Sequence, residues 1–166
     1  KVMASKAKPL PHQGKGGTPE KTGLETSPDT PLLDLSDATV RKMIKTAKKR
    51  VPVIAGAGSN STAEAIDFTR HAKQAGADAV LHSTGYYNKP TQDGLYRHFK
   101  AISEAVDIPI FVYNVPVRTI VDIQVATMAR CAKLEHVVGV KDATANVGRV
   151  TQQRLACGKN FIQLSG

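Results

Sequence analysis

A chain of 166 residues, 41% of them hydrophobic, has enough material for one ordinary core, whereas a complete eight-stranded α/β barrel uses about 250. The net charge of +9 would ordinarily suggest nucleic acid or a membrane surface as a partner, but residues 1–50 hold +6 of it and residues 51–166 only +3, so neither is expected of the folded part. No apolar run approaches the roughly 18 residues of a membrane span, and Cys131 and Cys157 show neither a CxxC spacing nor a metal-ligand pattern, which points to reduced thiols in a cytoplasmic protein.

In chain order, residues 1–35 read as a disordered or non-native tail. Pro9, Pro11, Pro19, Pro28 and Pro31 alternate with Gly14, Gly16, Gly17 and Gly23, and little apolar periodicity is present to offset the entropy of ordering. The chain opens on Lys1 instead of methionine, so a piece of a longer reading frame is expected. A transit peptide is the weaker alternative, since no arginine and no amphipathic helix support it. The ordered domain is expected over 36–166. Ser36 and Asp37 offer a helix cap, Val40, Met43, Ile44 and Ala47 form a stripe at helical spacing, and Lys48, Lys49 and Arg50 read as a solvated helix end.

From residue 51 one unit repeats. Apolar runs at Val51–Ala55, Ala79–Leu81, Ile110–Tyr113, Val137–Val140 and Phe161–Leu164 read as buried strands. Thr62–Ala75, Asp93–Ala105 and Ile123–Ala132 carry apolar residues at helical spacing between them. Strand and helix alternating over short connections imply a parallel sheet with right-handed crossovers, an α/β fold of about five strands. Two architectures fit, an open doubly wound sheet and part of a (β/α)₈ barrel, and both place function at the carboxyl ends of the strands.

Those ends carry the candidates. Gly56-Ala57-Gly58-Ser59-Asn60 is a poor match to a phosphate loop, because it lacks the third glycine of a dinucleotide fingerprint and the lysine of a P-loop. Tyr86 and Tyr87 are adjacent phenols in a turn, placed to face opposite ways. Tyr113 closes the third strand, ahead of a proline-stiffened loop bearing Arg118, whose planar guanidinium suits a carboxylate. Lys141 ends the fourth strand. An amine at the end of a buried parallel strand is disfavoured in its charged form, which favours the nucleophilic amine needed for an imine; a lysine that merely reaches out to solvent is the plainer alternative. Amine, phenol and guanidinium on successive strand ends are what imine chemistry on a keto acid would use.

Four stretches carry a resemblance: VPVIAGAGSNSTAEAI at 51–66, GYYNKPTQDGLYRHFKAI at 85–102, IFVYNVPVRT at 110–119 and VVGVKDAT at 137–144. In order and spacing they resemble the dihydrodipicolinate synthase and N-acetylneuraminate lyase family of Schiff-base-forming (β/α)₈ enzymes, over about residues 36–166. The resemblance implies a partial barrel in which Lys141 forms a covalent imine with pyruvate, without a cofactor or metal. Tyr113 would shuttle the proton, and Tyr87 would reach a neighbouring subunit's site in a homo-oligomer, a dimer of dimers in full-length relatives. Arg118 resembles the synthase branch, where it meets the carboxylate of aspartate semialdehyde on the route to lysine through diaminopimelate. Asn60, Glu64 and Tyr86 match positions that bind the effector lysine in some members.

The sequence also departs from the family pattern. The GTTGE turn that binds the pyruvate carboxylate is missing, and Gly17-Thr18-Pro19-Glu20 is not its equivalent, because Pro19 removes a backbone donor and no strand precedes it. The first two strands and the eighth have no counterpart, and Gly85 stands where the family usually has proline. A truncated enzyme with weakened or lost activity is therefore expected. A sugar-acid aldolase and a non-catalytic fragment that only associates are the alternatives.

Overall fold

The structure is a computed structural model and describes residues 34–166. The tail expected over 1–35, apart from its last two residues, lies outside the described residues, as does the Gly17–Glu20 stretch. Helix α1 spans Asp34–Ala47. It therefore begins two residues before Ser36, which sits inside the first turn instead of capping it. At the far end Lys48 and Lys49 leave the helix with positive φ (48° and 58°).

Five strands follow: β1 (Ile54–Gly56), β2 (Ala79–Ser83), β3 (Ile110–Asn114), β4 (Val137–Asp142) and β5 (Ile162–Ser165). They form one parallel sheet in the order β1-β2-β3-β4-β5. Pairing in β1 starts later than the apolar run predicts. Pro52 has no N–H to donate, and the Val53 N–H is taken by the Asp78 carboxylate at 2.7 Å. β4 runs further than predicted, so Lys141 and Asp142 remain within the ladder. Between β3 and β4 the register shifts: Ile110 pairs with Val137, but Phe111 pairs with Gly139.

The helices follow the apolar spacing. α2 (Thr62–Ala75) is capped by Ser61 and stopped by Gly76 at φ 92°, a left-handed conformation that favours glycine. α3 (Gln92–Ala105) is capped by Thr91, whose hydroxyl accepts the Gly94 N–H at 3.1 Å. The proline-stiffened loop contains one helical turn, α4 (Pro116–Thr119), with Pro116 at the first helical position. α5 spans Val125–Cys131 and α6 spans Gly148–Cys157. No apolar stripe announces α6: Gln153 is its one buried residue, while Val150 and Leu155 are exposed.

Consecutive strands are neighbours in the sheet, and right-handed crossovers stepping always in one direction put every helix on one face. Burial agrees with this. Val80, His82, Ile110, Val112, Asn114 and Val140 alternate onto the helix-covered face and are fully buried with Leu95, Phe99, Ile102 and Met128. The opposite face presents Leu81, Ser83, Phe111, Tyr113, Gly139, Lys141, Ile162 and Leu164, of which Ile162 is 45% exposed. Gly139 is required on that face, since a Cβ there would lie 2.5 Å from the Ile162 carbonyl oxygen and 2.8 Å from the Phe111 ring.

Candidate active site

Tyr113 and Lys141 are paired directly across β3 and β4, so their side chains leave the sheet on the same face, the one without helices. The Lys141 Nζ stands 4.5 Å from the centre of the Tyr113 ring. Both residues are half-buried, and the amine rests over an aromatic face instead of extending into bulk water. Of the three groups expected to converge, the structure thus brings two together. Arg118 is exposed on α4, at the carboxyl end of β3, and among the described residues its guanidinium makes no hydrogen bond or ion pair.

The Tyr86–Tyr87 turn follows β2. Tyr87 is 90% exposed and holds φ at 68°, left-handed for a residue with a Cβ, and Tyr86 is also exposed. The Tyr86 carbonyl accepts from the Asn88 N–H at 2.8 Å and from the Asn60 side-chain amide at 3.3 Å, which ties the β1 loop to the β2 loop. Glu64 stands in the first turn of α2, where its carboxylate accepts the Ser59 hydroxyl at 2.7 Å. Asn60 and Tyr86 are therefore in contact, while Glu64 has a local role in starting its helix. Gly85 is buried with Pro90 close by; a Cβ there would meet the Pro90 Cγ at 2.9 Å.

Behind the amine and the phenol lies a polar layer that the sequence does not announce. Asn114 and Asp142, each next in sequence to a candidate residue, pair across the same strands and turn to the helix face. The fully buried Asn114 donates to the Asp122 carboxylate at 2.8 Å and accepts the Ile123 N–H at 3.2 Å. Asp142 accepts the side-chain amide of buried Gln153 at 3.0 Å, and the N–H and hydroxyl of Thr144 at 2.9 and 2.5 Å. Arg149 grips both carboxylate oxygens of Asp122, at 2.6 and 2.7 Å. Burial opposes the Asp122 charge, but the hydrogen bonds from Arg149 and Asn114 outweigh it and hold that carboxyl below its usual range. Under the β2 loop, buried Thr84 donates to Thr119 at 3.1 Å, fastening that loop to the end of α4.

Two histidines are packed on the helix side. The Thr69 hydroxyl donates to the Ala65 carbonyl at 2.6 Å, so it accepts from Nε2 of His82 at 3.0 Å, which places the ring proton on that nitrogen and leaves buried Nδ1 without a partner. Burial, helped by neighbouring His98, pulls His82 down to about 3. Burial likewise lowers His98, whose Nδ1 meets the Thr62 hydroxyl at 2.9 Å. The thiol of Cys131 is pushed up to about 12 by burial, and Cys157 is also raised, so both behave as packing residues. Among the described residues no cluster of three or more His, Cys, Asp or Glu could hold a metal, and no helix is long and apolar enough to cross a membrane.

Parallel strands in sequential order, with all helices on one face and the reactive side chains at the strand ends, define an α/β protein of the barrel type. The model of the dihydrodipicolinate synthetase family matches residues 30–166, and the chain belongs to that family. It is 57% identical over 152 residues to a 4-hydroxy-tetrahydrodipicolinate synthase of Rhodopseudomonas palustris, covering 90% of this chain and 51% of that protein. A crystal structure of the dihydrodipicolinate synthase from Acinetobacter baumannii, complexed with pyruvate, superposes with a TM-score of 0.79 at 48% identity, covering 81% of this chain and 46% of that one. A monomeric dihydrodipicolinate synthase variant superposes with a TM-score of 0.75 at 41% identity, covering 79% and 45%. The chain spans about half the length of the curated relatives it matches.

Proposed function

We propose that the Lys141–Tyr113 pair is the imine-forming centre of a synthase that joins pyruvate to aspartate semialdehyde, in the route through diaminopimelate to lysine. The observation that carries this reading is the amine 4.5 Å above the phenol ring at adjacent strand ends. The neutral amine adds to the keto carbon of pyruvate, the carbinolamine loses water, and the resulting iminium gives up a methyl proton to become an enamine. The enamine carbon then attacks the aldehyde of the second substrate. Tyr113 is placed to carry protons to and from the carbinolamine oxygen, and Arg118 to receive a carboxylate. No cofactor takes part, because the imine itself is the electron sink.

Family membership and the pyruvate complex of the Acinetobacter baumannii relative support the choice of substrate. The exposed Tyr87 supports a homo-oligomer in which that phenol reaches a neighbouring subunit, and the unpaired Cys131 and Cys157 are in keeping with a cytoplasmic setting. The half-exposed Ile162 and Leu164 favour a second reading, a truncated chain that associates without catalysis. Borohydride reduction in the presence of pyruvate separates the two. The synthase reading expects a pyruvate-derived mass on Lys141 alone, abolished by Lys141→Ala. Folded chain that takes up no such mass, or takes it up on several surface lysines alike, overturns it.

A further inference from the structure

Arg149 is the second residue of α6 and its side chain is only 12% exposed, yet it binds an aspartate of the α4–α5 loop, 27 positions earlier in the chain. One Nη donates to Asp122 at 2.6 Å and to the Ile123 carbonyl at 2.9 Å, the other Nη donates to Asp122 at 2.7 Å, and Nε is buried without a partner. The Arg149 end of this ion pair is buried with one donor left over while the Asp122 side chain is 43% exposed, so desolvation of the guanidinium and solvent screening of the carboxylate leave the pair a weak device for stability. What the pair does supply is geometry. Asp122 is bonded to Asn114, the residue after Tyr113, while Gln153, one turn beyond Arg149 on the same helix, is bonded to Asp142, the residue after Lys141. A single face of α6 therefore brackets both strand ends from behind. Neighbouring residues of a strand share a peptide plane and point to opposite faces, so a tilt at Asn114 or Asp142 swings the phenol or the amine in front of it.

We propose that Asp122 and Arg149 are positioning residues that hold Tyr113 and Lys141 in contact across the sheet. The catalytic importance of this bracket rests on the imine-forming reading above, whereas its geometric effect does not. Arg149→Lys keeps the charge but cannot form the fork, and Asp122→Asn keeps the shape but loses the charge. Both variants are made in the whole chain and read in two ways.

The first readout is the NMR shift of the Lys141 ε-methylene, which the Tyr113 ring should move upfield from the other lysines. Both variants are expected to return it towards their position. The second is the rate of borohydride trapping against pyruvate concentration. The limiting rate is expected to fall about tenfold, because a small misplacement of reacting groups is costly, with half-saturation nearly unchanged. Simple loss of folded protein would instead lower the final amount of adduct at an unchanged rate per folded molecule. Should either variant fold and keep both the Lys141 shift and the limiting rate, the bracket is overturned. If the unaltered chain takes up no pyruvate, the imine reading fails, and the methylene shift alone still decides whether Asp122 and Arg149 set the geometry.

Discussion

Lys141 and Tyr113 are legible in sequence because each breaks a local rule: a lysine interrupts a run of β-branched residues, and a phenol closes a strand just before a proline. Arg149 and Asp122 break none. They read as ordinary polar residues of a helix start and a loop, and only the fold joins them. Strain is equally silent. Ile120, directly after α4, sits at φ 67°, where a β-branched side chain is crowded, and it is 65% exposed, so little packing compensates. Ile120→Gly is expected to raise stability by about 1 kcal/mol, read as a higher urea midpoint at an unchanged slope; a lower midpoint would show that the apolar side chain contributes more than its backbone costs. His82 gives a pH dependence. Its folded value of about 3 lies below the ordinary 6.5, so the unfolded chain binds the proton first and stability falls as pH drops from about 6.5 towards 3. His82 alone should contribute a slope approaching about 1.4 kcal/mol per pH unit, and His82→Gln should lessen the fall in melting temperature between pH 6.5 and 4.5, leaving the part due to His98, whose value burial also lowers. A slope untouched by that substitution would place the acid sensitivity elsewhere.

Among the elements, those with a clear apolar stripe are legible in the sequence, α2 residue for residue and α3 to within one residue at its start. The elements that escaped were governed by polar contacts. α6 buries an amide, Gln153, where a stripe-based reading looks for a hydrocarbon, and β1 is shortened by Pro52 and by the claim of Asp78 on the Val53 N–H. α3 also does more than pack. Gln92, its first residue, donates to the Asp122 carbonyl at 2.8 Å and accepts the Gln124 N–H at 2.9 Å, steadying the loop that carries Asp122. Its cap therefore matters to the site as well as to the helix. Thr91→Ala is expected to cost about 1 kcal/mol in chemical denaturation. Thr91→Ser should restore most of that, and equal losses from both would implicate the methyl group instead of the hydroxyl.

For the molecule as a whole, five strands in sequential order give a protection gradient. β2, β3 and β4 have two strand neighbours within the described sheet and β1 and β5 one, so hydrogen exchange is expected to be slowest at Val112 and Val140 and fastest in Ile162–Ser165. Amides of β5 as slow as those of β3 would show that something covers that edge. The order of strands is legible in the alternation of runs, but the shift between β3 and β4 is not: Gly139, the first residue paired beyond it, is equally explained by the close approach of the Ile162 carbonyl. Yet that shift governs the chemistry. Had the pairing of Ile110 with Val137 continued in step, Tyr113 would stand opposite Val140, and Lys141 would stand opposite Asn114 with its amine walled in behind the helices. Catalysis on such a sheet is a matter of parity: a slip of one residue in the pairing of β4 with β3 would leave every reactive group in the chain and put the amine on the wrong side of the wall.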